Sequence, residues 1–87
     1  MPKIKIEVNK FDILMGARFC PLFCPVSRAI SREIGGYCRV SSNLVFDLKG
    51  IKLFKLPKEV IKFIDDFDKG KEVEPITFEL EVNDSAN

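Results

Sequence analysis

The tightest constraint on the fold is the period of the segment Pro57–Gly70. Val60, Phe63, Ile64 and Phe67 recur at i, i+3, i+4 and i+7, so a helix gathers them on one face. Pro57 suits a first turn, where its missing N–H costs nothing, and Gly70 supplies a stop. A helix with such a stripe needs a second layer to cover it. The rest of the chain offers that layer as strands. In Lys3–Val8 the residues Ile4, Ile6 and Val8 alternate with Lys3, Lys5 and Glu7. In the same way Ile76, Phe78, Leu80 and Val82 alternate with Thr77, Glu79 and Glu81. The matching patterns make these two strands expected neighbours.

Between them the sequence predicts a β-meander of Tyr37–Ser41, Leu44–Leu48 and Ile51–Leu56. Ser42-Asn43 forms the first turn and Lys49-Gly50 the second, with Gly50 taking the positive-φ position. Leu44, Phe46 and Leu48 share one face of the middle strand, and Val45 and Asp47 point the other way. A second helix is expected from Pro25 to about Ile34, with Val26, Ala29, Ile30 and Ile34 on its apolar face. Ser27, Arg28, Ser31 and Arg32 fall elsewhere on it, and Gly35-Gly36 stops it. Asn9 caps a short helical turn, Lys10–Met15, ended by Gly16. Pro21 and Pro25 make Ala17–Cys24 an irregular loop.

The order is β-α-α-β-β-β-α-β. It predicts an α+β fold: a small, mainly antiparallel sheet of about five strands, covered by two main helices. At 87 residues there is room for one core, with a single domain over residues 1–82 and a flexible tail at 83–87. With an apolar content of 46% and a charged content of 31%, a folded soluble domain is expected rather than a disordered chain. A monomer this small is marginal, so a homo-oligomer is expected. No apolar run approaches the ~20 residues needed to cross a bilayer. Met1–Lys10 lacks the apolar core of a signal peptide, so a cytoplasmic location is expected.

The chemistry is restricted by what is missing. The chain has no histidine, which removes the commonest general base, the usual nucleophilic triads and the commonest metal ligand. Its three cysteines, Cys20, Cys24 and Cys38, are an odd number for a disulfide framework. Cys20 and Cys24 stand one residue further apart than a redox pair, and three thiols do not complete a four-ligand zinc site. Buried thiols acting as small hydrophobes are the expectation. No catalytic residue, no metal site and no cofactor are expected, and the chain is read as a non-enzymatic binding protein.

The binding residues expected from the sequence surround the start of the second helix. Ser27 lies in its first turn, where free N–H groups and the helix dipole favour an anion. Arg28 and Arg32 stand i, i+4 on one face, Arg18 arrives from the preceding loop, and guanidinium groups match phosphate oxygens. Arg39 or Tyr37 would stack on a base. The competing reading is a solvated arginine face, with Arg32 serving Glu7 or Glu33. Charge is also unevenly spread. Residues 1–58 carry 11 Lys/Arg against 4 Asp/Glu, and residues 59–87 carry 3 against 9. Such poles suit an anionic ligand, head-to-tail association or a protein partner. Lys49, Lys52 and Lys55 with Phe54 form a weaker candidate for nucleic acid, and Asp65, Asp66 and Asp68 for a cation or a basic partner.

Several segments together resemble small accessory proteins encoded by bacteriophages. They are Gly16-x-Arg18; Cys24-Pro25-Val26 with Ala29; and Leu56-Pro57, Val60, Phe63-Ile64, Phe67-Asp68, Gly70, Val73, Pro75 and Phe78. The resemblance spans nearly the whole chain and implies action in the host-cell cytoplasm. It carries over no catalytic motif. Countering host defence is a common role of small non-catalytic proteins of this kind. Sequestering a small nucleotide-derived immune signal in a pocket between protomers is one mode, an analogy of setting that fits the missing catalytic constellation, the expected oligomer and the arginines beside a helix N-terminus. The alternatives are inhibition of a host defence or replication protein by direct binding, and nucleic-acid binding.

Overall fold

The computed structural model describes residues 3–41 and 43–81. The expected tail at 83–87, Val82 and Ser42 of the first meander turn lie outside them. The chain is α+β: β1 (Lys3–Val8), α1 (Lys10–Met15), α2 (Pro25–Ile34), β2 (Cys38–Ser41), β3 (Leu44–Asp47), β4 (Lys52–Lys55), α3 (Lys58–Asp68) and β5 (Ile76–Glu81). The strands are all antiparallel, but they divide into two sheets where one was expected: β1-β5 and β2-β3-β4.

The outer strands are neighbours, as their matching patterns require. They pair from Lys3↔Glu81 to Val8↔Ile76, which puts Ile6 opposite Phe78 and Ile4 opposite Leu80 on one apolar face. In the meander, Val40 pairs with Val45 and Val45 with Phe54, so one buried row crosses all three strands. The core-facing residue of β3 is therefore Val45. Leu44 and Phe46 are only half-buried, and Leu48 is exposed. A register shift between Val45 and Phe46 separates the two halves of β3, which strict alternation does not anticipate.

The helices close one shared core. Ile6 and Val8 of β1, Val26, Ala29 and Ile30 of α2, Val45 of β3 and Val60 of α3 are buried together. In α3 the predicted stripe holds: Val60, Phe63 and Phe67 are buried and Ile64 is half-buried. At its end Gly70 takes a φ of 81°, the left-handed conformation that only glycine adopts without strain. Helix α2 packs on β1, α1, β2 and α3. With neighbours on so many sides it buries a wide arc, from Pro25 through Ser27 to Ile30.

Candidate functional site

The site is organised by a residue the sequence reading passed over. Asp12 lies on α1, the one charged residue among the five that follow Lys10, and it is fully buried. It is placed there by a capping box. The Asn9 side chain accepts from the Asp12 N–H at 2.8 Å, and the Asp12 carboxylate accepts from the Asn9 N–H at 3.1 Å. Arg32 reaches across from α2 and donates through Nη1 to Asp12 Oδ1 at 2.8 Å and through Nη2 to Oδ2 at 2.9 Å. Its Nη2 also donates to the Glu7 carbonyl at 2.9 Å. Burial opposes the charge on Asp12, but the Arg32 bond, the Asn9 N–H and the Arg28 charge outweigh it and hold the carboxyl below its ordinary range. The pairing in turn raises Arg32.

Arg28 is the unspent charge of this cluster. Its Nε lies 3.8 Å from Asp12 Oδ1, beyond hydrogen-bond reach, and that buried atom has no hydrogen-bond partner. Its guanidinium stacks over the Phe11 ring at 5.6 Å. Arg28 and Arg32 share the Asp12 carboxylate, and both line a groove of about 500 Å³. Its lining continues through Leu22, Phe23, Ser31, Arg32, Tyr37 and the Gly35-Gly36 pair. Phe23 and Tyr37 meet edge to face with centroids 6.3 Å apart, yet stay 48% and 65% exposed.

The groove thus unites three of the six residues singled out in sequence: Arg28, Arg32 and Tyr37. The other three lie elsewhere. Ser27 is fully buried, its N–H is capped by Cys24 Sγ at 3.4 Å, and its hydroxyl donates to the Cys24 carbonyl at 3.1 Å. The first turn of α2 therefore faces protein at this residue, not a ligand. Arg18 instead serves the C-terminal end of α3: its Nε donates to the Phe67 carbonyl at 3.2 Å and its guanidinium lies 5.8 Å over the Phe67 ring. Arg39 is exposed on β2 opposite Phe46, outside the groove. Arg32 is held by the Asp12 carboxylate and the Glu7 backbone carbonyl, not by the Glu7 or Glu33 side chain that the sequence suggested.

The remaining candidates resolve locally. Cys24 and Cys38 are buried, and burial raises both thiols, which disfavours a thiolate nucleophile. Phe54 belongs to the core and offers no face to a base beside Lys52 and Lys55. Asp65 pairs with Lys69 at 2.9 Å and Asp66 with Lys62 at 3.0 Å, while Asp68 accepts from the Phe19 N–H at 2.9 Å. Among the described residues no three Cys, Asp or Glu side chains gather as a metal set, and no helix is long and apolar enough to cross a membrane.

Fold and site together define a small α+β domain with an arginine–aromatic groove set over a buried ion cluster. Comparison with protein-family models, with curated proteins and with solved structures finds no match.

Proposed function

We propose that this chain is a non-enzymatic binding protein that holds a small, phosphate-bearing, nucleotide-derived ligand in the Arg28–Tyr37 groove. The observation that carries the reading is the pairing of an under-used guanidinium with two exposed aromatic rings. Among the described residues the Arg28 side chain donates no hydrogen bond, and its Nε stands 3.8 Å from a carboxylate that Arg32 already holds. A phosphate oxygen meets that guanidinium, and Tyr37 or Phe23 offers a face or edge to a base. The volume falls within the ~300–1,000 Å³ usual for small-molecule sites. Sequestration of a nucleotide-derived immune signal in a phage-infected cell is the biological setting this reading suggests.

Calorimetry against cyclic dinucleotides, ADP-ribose and inorganic phosphate tests it. The ring-bearing ligands should bind and free phosphate should bind far more weakly. Tyr37→Ala, at an exposed position, should weaken binding about tenfold or more with an unchanged thermal melt, since base–aromatic stacking contributes ~1–3 kcal/mol. No heat with any of these compounds at millimolar concentration would exclude the reading.

A further inference from the structure

The outer face of the three-stranded sheet carries a second surface, built from residues that the groove leaves out. Val40, Val45 and Phe54 turn into the core, so their neighbours along the strands turn outward. The register lays these in two rows across the sheet: Arg39–Phe46–Lys52 and Ser41–Leu44–Lys55. The register shift leaves Leu53 without a residue opposite, so Lys52 and Phe54, two apart in sequence, come to lie on opposite faces. Arg39, Ser41, Lys52 and Lys55 are exposed. Phe46 and Leu44 are half-buried, and neither belongs to the core or packs against it. The ring on this face is thus Phe46, on the middle strand with a cation on either side. Among the described residues no cation or second ring stacks on it; those contacts lie at Phe67, Phe11 and the Phe23–Tyr37 pair.

The charge here is nearly all of one sign. Residues 38–55 hold Arg39, Lys49, Lys52 and Lys55 against one acid, Asp47. Asp47 is spent on the β3–β4 turn, where its Oδ1 accepts from the Lys49 and Ile51 N–H groups, both at 2.9 Å. None of the four cations joins an ion pair among the described residues. The acids of neighbouring elements have other partners. Strand β5 runs near β4, but its Glu79 and Glu81 stand opposite Lys5 and Lys3 of β1. Asp65 and Asp68 border Ser41 at the β2 edge, where one pairs with Lys69 and the other accepts from the Phe19 N–H.

Arg39 and Lys52 stand two strand spacings apart, ~10 Å, with the Phe46 ring between them. That layout matches a nucleotide chain, a base lying on the ring and phosphates meeting the cations beside it. We infer that the outer face of β2-β3-β4 binds single-stranded nucleic acid, with Phe46 stacking a base and Arg39, Lys52 and Lys55 meeting phosphates. A paired base keeps its faces inside the helical stack, so a ring recessed in a sheet reaches only an unpaired one. A lipid surface is the poorer match, because the two apolar side chains of the face are half-buried and do not project for insertion.

Fluorescence anisotropy of the whole chain with a labelled oligothymidine of about twelve nucleotides tests the inference. The single strand should bind at low salt at least about tenfold more tightly than its duplex with oligoadenosine. Its log affinity should fall against log salt with a slope of about −2, for three phosphate contacts. Arg39→Gln with Lys52→Gln, both at exposed positions, should weaken binding and flatten the slope by about 1.4, with an unchanged thermal melt. Phe46→Leu, which keeps the half-buried side chain apolar, should weaken binding about tenfold at an unchanged slope. No anisotropy change at low salt overturns the inference. So does affinity indifferent to Phe46→Leu, which reduces the face to a patch of cations, and so does binding lost on Arg28→Ala, which puts the strand in the groove. Cosedimentation with phosphatidylserine vesicles in place of oligonucleotide binding would make the face a lipid surface and overturn it too.

Discussion

A buried carboxylate without partners costs several kcal/mol, and Asp12 avoids that cost only through Asn9, Arg32 and Arg28. Asp12→Ala should therefore destabilise the fold by about 3 kcal/mol in denaturant unfolding, at the lower end for a broken buried pair because Arg32 is partly solvated. The sign of the pH effect follows from its lowered titration. The unfolded state binds this proton first, so the stabilisation is complete above about pH 5 and lost as pH falls through the folded value. The stability gap between wild type and Asp12→Asn should narrow below about pH 4; a constant gap would show that Asp12 acts through packing alone. Phe19 offers a test of the opposite sign. Its φ of 56° is left-handed, its ring is 76% exposed, and its backbone N–H is anchored to Asp68. Phe19→Gly should raise stability by about 0.5–1 kcal/mol, since the strain disappears while the anchoring bond survives. Asn9 was readable as a cap, but the role of Asp12 was not. An N-cap residue shows in the sequence, whereas a guanidinium arriving from twenty residues away does not.

Elements with a strong internal period are where sequence and structure agree. The extents of α2 and α3 follow from proline, glycine and apolar spacing, local signals that tertiary contacts leave untouched. Which face an element buries is a different matter, because it depends on how many neighbours surround it. Helix α2 was read with Ser27 outside its apolar stripe, as for a helix lying on one layer. Packing against β1, α1, β2 and α3 buries Ser27 as well, and Cys24 rather than a ligand caps its N–H. Strand β3 shows the same limit: the shift between Val45 and Phe46 breaks the alternation that assigned its faces. The α2 environment also predicts thiol reactivity. Cys20 is half-buried in the loop, whereas Cys24 and Cys38 are buried with raised thiols. In native buffer iodoacetamide should label Cys20 first, with Cys24 and Cys38 at least about 100-fold slower and released together by denaturant. Early labelling of Cys24 would mean that the start of α2 opens locally.

At the scale of the whole molecule the two sheets behave as one body because the core runs between them, from Ile6 and Val8 in β1 to Val40 and Val45 in β2 and β3. Val45→Ala should cost about 2–3 kcal/mol. It should shift the far-ultraviolet signal and the Tyr37 fluorescence by the same amount, as one cooperative transition; separate midpoints would mean that the sheets melt independently. The class of fold was legible because five alternating or apolar strands and two capped helices leave few alternatives. The division into two sheets was not, since it depends on where α2 and α3 pass between strands that look alike in sequence. The pairing of β1 with β5 has a consequence for synthesis. Lys3 meets Glu81, so β1, synthesised well before β5, must wait for it before their shared hydrogen bonds can close. At roughly 5–20 residues per second, the nearly seventy residues between them take several seconds. During that interval Ile4, Ile6 and Val8 emerge as an unpaired apolar strand, a chaperone's substrate before they are a sheet.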